Sequence, residues 1–97
     1  MKLNHEMCDE HFKELAIETK RWIICIAMEL QKATEMHPNW PTDKIHAAAI
    51  VGEESGELIR AAIQYQLEKG KYYEMHNEAI QTGAMSIRFL LNAPEKK

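Results

Sequence analysis

Little in this chain bends or cross-links it. Three prolines and four glycines in 97 residues leave long stretches in which a helix can run without interruption. Two cysteines, Cys8 and Cys25, are too few for the disulfide framework of a small secreted domain. Both fall in the first predicted helix, where seventeen residues of rise at about 1.5 Å each hold them roughly 25 Å apart, so no bridge joins them within one chain. Cys25 lies among Ile23, Ile24 and Ile26 with no cation or base in sequence reach, and reads as a small core hydrophobe rather than a nucleophile. The longest apolar run, Trp22 to Met28, falls far short of the roughly 20 residues that span a bilayer. The first residues, with His5, Glu6, Asp9 and Glu10, do not have the pattern of a signal peptide. A soluble, cytoplasmic chain with no membrane partner is expected. There is no run of basic residues either. With 15 acidic against 12 basic side chains the chain lacks the cationic patch that binds a phosphate backbone, so nucleic acid is not an expected partner.

What is present is 45% hydrophobic and 28% charged residues, the profile of one globular domain over residues 1–97. A domain of this size hides only about 60 to 70% of the surface its unfolded chain exposes. Association with further copies of itself, as a homodimer or a dimer of dimers, is expected to complete the core.

The pattern predicts an all-α fold, an antiparallel bundle of three main helices. In the first, about Asn4 to Met36, Phe12, Leu15, Trp22, Ile23, Ile26, Leu30 and Ala33 recur at helical spacing, and the turns before about Phe12 are readable as a separate piece. As one rod it would reach roughly 45 Å, longer than a compact monomer covers, so its exposed part is expected on a symmetry mate. His37-Pro38-Asn39-Trp40-Pro41-Thr42 is the one clear loop. The second helix starts after Thr42 or Asp43 and ends near Lys69, with Gly70 placed for the left-handed closing conformation. Its expected core stripe is Ala48, Val51, Ser55, Leu58, Ala62 and Tyr65, with Gly52 and Gly56 beside it, where another helix can come close. The third runs from about Tyr72 or Met75 to Asn92, stopped by Pro94, with Ile80, Ala84, Ile87 and Leu91 as its apolar stripe.

The chemistry is concentrated in Gly52-Glu53-Glu54-Ser55-Gly56-Glu57. At about 100° per residue, Glu53, Glu57 and Glu54 fall at roughly 0°, 40° and 100° on one face. Like charges one turn apart repel, and the residues one turn from Glu54 are Ile50 and Leu58, not Lys or Arg; Arg60 alone lies near. Such a cluster is either a solvated helix face or, because Ile50 and Ala61 fence it, a group of anions that needs a cation or a proton. A hard divalent ion answers that need. Opposite it, Glu78, Gln81, Met85, Arg88 and Asn92 form a second stripe, in which Glu78 completes an oxygen shell suited to Mg²⁺ and Arg88 can face a phosphate.

The Glu53-Glu54-x-x-Glu57 pattern in a second long helix, followed after twenty residues by Glu78 in a third, resembles the all-α nucleoside triphosphate pyrophosphohydrolases of the MazG-like superfamily. The specific part of the resemblance is about His46 to Leu91. It implies a single MazG-like helical domain and an acid anhydride hydrolase that uses Mg²⁺, or Mn²⁺, to cleave a (deoxy)nucleoside triphosphate to monophosphate and pyrophosphate. On this resemblance Glu54, Glu57 and Glu78 are the metal ligands and Glu53 orients or deprotonates the attacking water. The family carries Asp three residues after the last Glu. This chain has Gln81, which offers a carbonyl oxygen without charge and should hold Mg²⁺ less tightly. Glu74, one turn before Glu78, is a nearby substitute.

Arg88 and Lys44 are the candidate phosphate contacts, and Trp40, beside Pro41, is the ring best placed to close over a substrate, although packing is the commoner fate of such rings and of Trp22, Tyr72 and Tyr73. The methionines at 28, 36, 75 and 85 read as packing, and His46 as a surface or capping residue. No Glu-x-x-His pair occurs, which excludes a di-iron bundle. The rival reading is a catalytically silent helical dimer that binds a nucleotide or a protein partner.

Overall fold

The computed structural model describes residues 5–93, with side chains described from Asp9 onward. Pro94 and the side chain of Cys8 therefore lie outside the described residues. The described chain is all-α, without strands, as the sequence predicts. It forms four helices rather than three: α1 (His5–Glu14), α2 (Ile17–Met36), α3 (Lys44–Leu67) and α4 (Tyr72–Leu91). None of them is long and apolar enough to cross a membrane.

The expected 45 Å first helix is broken at Leu15–Ala16, a few residues later than Phe12. Ala16 takes an extended conformation, with φ −60° and ψ 149°. The Lys20 ammonium donates to the Lys13 carbonyl at 3.0 Å and lies 5.7 Å from the centre of the Phe12 ring, so one side chain serves both sides of the break.

The Asp43 carboxylate accepts from the Ile45 amide at 3.0 Å and starts α3. At its end the left-handed residue is Lys69, with φ 62°, and not Gly70. Gly70 has a steric reason to be glycine. Its amide donates to the Gln64 carbonyl at 2.7 Å, and a Cβ there would lie 2.7 Å from the Gln64 carbonyl carbon and 2.8 Å from the Tyr65 nitrogen. The chain is thus turned tightly enough for α4 to return antiparallel along α3.

The path of α2 is fixed by contacts at both ends. Trp22, near its start, meets His76, near the start of α4, edge-on at 5.2 Å. Arg88, near the end of α4, donates to the His37 carbonyl just past the end of α2. Hence α2 and α4 run parallel. Each of α2 and α3 packs extensively on α4 but not on the other, so α4 is the middle of an open three-helix layer. Close approach is helped by Gly83, where a Cβ would lie 2.9 Å from Ile26 Cδ1.

This arrangement corrects the expected stripes. Sandwiched between two neighbours, α4 is covered on two sides, and its buried residues, Ala84, Met85 and Arg88, come from the apolar and the polar stripe alike, while Leu91 is exposed. On α3 the buried positions are Ala47 and Ala61, and Ala48 and Tyr65 are exposed. The covered face is therefore rotated by about 50° from the predicted one, toward Glu54. Cys25 is exposed rather than in the core, and Met28 and Met36 are exposed as well. The radius of gyration, 15.4 Å, exceeds the about 12.5 Å of a compact chain of this length.

Gly70→Ala should destabilise the fold by about 1 to 3 kcal/mol in denaturant unfolding, because the clash is with backbone that cannot rotate away.

Candidate metal centre

One oxygen from each of Glu54, Glu57 and Glu78 lies within 4.8 Å of the other two. The two helices that the Gly70 turn holds antiparallel bring these carboxylates together across the α3–α4 seam. Glu54 and Glu78 are half-buried and Glu57 is exposed. Oε2 of Glu78 is buried without a hydrogen-bond partner. Cis ligands of an octahedral Mg²⁺ with bonds of about 2.1 Å sit about 3 Å apart and trans ligands about 4.2 Å apart, so small rotations of three flexible glutamates suffice to share one ion.

The electrostatics have the same sense. Burial, then the charge of Glu57, then that of Glu53, push the Glu54 carboxyl above its ordinary value. For Glu78 the causes are burial, then the charge and closeness of the Glu57 carboxyl, then Glu54 and Glu74. Three acidic groups in one place repel one another, and a cation or a shared proton relieves that repulsion.

The remaining candidates fall in different places. Glu53 is exposed and outside the trio, within electrostatic reach of Glu54. Glu74, Arg60 and Gln64 line, with Glu57 and Glu78, a cavity on one side of the cluster, and Arg60 is the cation in that lining. Gln81 lies one turn beyond Glu78, and its amide nitrogen donates to Glu29 of α2 at 2.5 Å. His46 is exposed near the start of α3.

Arg88 is not the free phosphate contact expected of it. It is 5% exposed, donates to the carbonyls of His37 and, at 3.3 Å, Asn39, and lies 4.9 Å from the centre of the Trp40 ring. Its guanidinium holds the α2–α3 loop on α4, because burial of a cation requires acceptors and the loop carbonyls supply them. Lys44, the exposed first residue of α3, is ten residues, or about 15 Å of helix, before Glu54. Trp40 is half-buried and walls a cavity of about 470 Å³, together with Met36, Ile50, Glu54, Gln81 and Met85.

That cavity is the cleft between α2 and α3, floored by α4. A second cavity of about 750 Å³ continues along the α2–α4 seam past Glu78. Glu29, Lys32 and Gln81 line both. Glu29 and Lys32 were absent from the expected site. The legible signal for Glu29 is its place on the same helical face as Ile26, Leu30 and Ala33, a carboxylate inside an apolar stripe. Lys32, three residues on, carries no such signal.

Comparison of the chain with protein-family models, with curated proteins and with solved structures finds no match.

The raised carboxyls give a signed prediction. A group whose folded value lies above its unfolded one favours folding at low pH, and that contribution is lost as pH rises from the ordinary value of 4.5 through the raised one. In EDTA, Glu78→Gln should therefore melt higher than the parent chain at pH 7, and the difference should close as pH falls to 4.5.

Proposed function

We propose that the chain is a Mg²⁺-dependent nucleotide pyrophosphohydrolase, converting a (deoxy)nucleoside triphosphate to the monophosphate and pyrophosphate. The observation that carries this reading is the convergence of Glu54, Glu57 and Glu78 with a buried, unpartnered oxygen on Glu78. Oxygen-only donors suit Mg²⁺ or Mn²⁺ rather than a soft ion. Glu54, Glu57 and Glu78 would hold the ion, with the Gln81 carbonyl as a neutral fourth donor. The chemistry such an ion supplies is neutralisation of the charge that develops at the α–β phosphate bridge.

The chain's own residues do the rest. Glu53, exposed beside Glu54, is free to accept a proton from an attacking water. The cleft that borders Glu54 offers Trp40, Ile50 and Met85 as apolar walls for a base. Lys32 lines both cavities that flank the polar stripe of α4, and replaces Arg88 as the cation available to a phosphate chain.

A specific observation also favours the rival, a silent binding module. The position at which the family carries an anion is a neutral Gln81 already bonded to Glu29. Gln81→Asp separates the two: a chain active before the change and faster after it is a catalyst that binds its ion weakly, whereas activity that appears only after the change, or in neither form while a nucleotide still raises the melting temperature, favours the binding module.

Pyrophosphate release from a panel of dNTPs should require Mg²⁺ and fall by about 100-fold or more in Glu57→Gln. At about 100 times its dissociation constant, Mg²⁺ should stabilise the folded chain by about 2.7 kcal/mol, visible as a higher melting temperature that Glu57→Gln abolishes. Pyrophosphate release that is insensitive to Glu57→Gln refutes the mechanism.

A further inference from the structure

Of the two carboxylates that line the α2–α3 cleft, Glu54 belongs to the acidic trio and Glu29 does not. Glu29 stands on the opposite wall, half-buried, with Ile26 and Ala33 one turn before and after it on α2. A carboxylate set among apolar side chains needs hydrogen-bond donors. Among the described residues Glu29 has no ion-pair partner and one side-chain donor, the Gln81 amide nitrogen, 2.5 Å from Oε1. An ionised carboxylate has about four acceptor sites on its two oxygens, so the bond to Gln81 orients the group and leaves acceptor capacity for a ligand in the cleft.

The rest of the cleft suits a flat ring. Trp40, Ile50 and Met85 wall it, and the Arg88 guanidinium backs the indole at 4.9 Å from its centre, which holds that ring in place. Arg88 is itself fixed by the loop carbonyls of His37 and Asn39. Apolar walls with one oriented polar group between them are the usual build of a site that accepts a heterocycle and tells one from another.

We infer that Glu29 reads the base of the bound nucleotide, and that the base is guanine. The inference rests on the cleft being the nucleotide site proposed above. Guanine alone among the common bases presents two donors side by side on its pairing edge, N1–H and the 2-amino group, which match the two oxygens of a carboxylate. Adenine offers its 6-amino group beside the N1 lone pair, and cytosine its 4-amino group beside the N3 lone pair. Thymine and uracil offer one N3–H between two carbonyls. Each of these sets an acceptor against the anion, and such a mismatch is costly where water is partly excluded. Gln81 is then a positioning residue, since its amide fixes the carboxylate that the base meets.

Pyrophosphate release in Mg²⁺ from dGTP, dATP, dCTP and dTTP tests the assignment, beside calorimetric binding of the corresponding monophosphates, which reads the same preference without turnover. The parent chain should favour dGTP in kcat/KM, and dGMP in affinity, by about 10- to 100-fold. Substrate dITP, which lacks the 2-amino group, should fall between dGTP and the rest. Glu29→Gln keeps the side chain's size and turns one acceptor into a donor. It should erase the preference, lowering dGTP by about tenfold or more while dATP changes little, and an unchanged circular dichroism spectrum shows that the fold is kept. Release from all four at similar rates, a preference for another base, or a dGTP preference that survives Glu29→Gln overturns the guanine assignment and leaves the hydrolase standing. A chain that hydrolyses none of them yet binds dGMP through Glu29 upholds the assignment and overturns the hydrolase. A chain that neither hydrolyses nor binds any of these nucleotides overturns both.

Discussion

One helix supports two others that barely touch. Because α2 and α3 both pack on α4 and not on each other, every buried contact of this small chain involves α4 or its neighbourhood, and Ala84, fully shielded, sits where the demand is greatest. Small residues on α4 are the condition for this. Gly83 lets Ile26 of α2 approach, and Ala84 leaves room beside it, so the three axes lie in a layer instead of closing into a triangle. The gap between the outer helices becomes a cleft whose floor is the polar stripe of α4. The geometry that denies the chain a thick core also leaves Gln81 and the edge of Met85 lining the bottom of a trough.

That floor explains why a carboxylate cluster can exist at the seam at all. A charged residue facing a closed apolar core would cost several kcal/mol without a partner. In an open layer Glu57 keeps contact with water while Glu54 and Glu78 are only half-buried, so the repulsion among them raises their proton affinity without preventing folding. The open layer thus accommodates a group of closely spaced anions at the cost of a thicker core. Glu29 adds a further carboxylate from the far wall, tied to the floor through Gln81.

The parts legible in the sequence were those set by local rules. Helical spacing, the Asp43 cap and the Gly70 turn specify where the helices lie, and the spacing of Glu54, Glu57 and Glu78 specifies that they can meet. What was not legible depended on which neighbour covers which face. The stripe of α3 was misjudged because Ala48 and Ala62 look like core and Glu54 does not, yet it is the Glu54 side that turns toward α4. Arg88 looked like a surface cation because nothing local announces that carbonyls 49 and 51 residues earlier will be its acceptors. The break at Ala16 has no glycine or proline to mark it. Cys25 and Met28 looked internal because they lie in an apolar run, and the run proved longer than the face that α4 covers.

The parallel alignment of α2 and α4 has an electrostatic corollary. Two helices side by side in the same direction place their partial negative ends together, a repulsive arrangement that antiparallel neighbours avoid. Arg88 sits where those ends coincide, in the last turn of α4 and bonded to the carbonyl just past α2. One buried guanidinium therefore acts as a counterion for two macrodipoles. The otherwise unfavourable direction of α2 becomes tolerable because its C-terminus and that of α4 share a single positive charge.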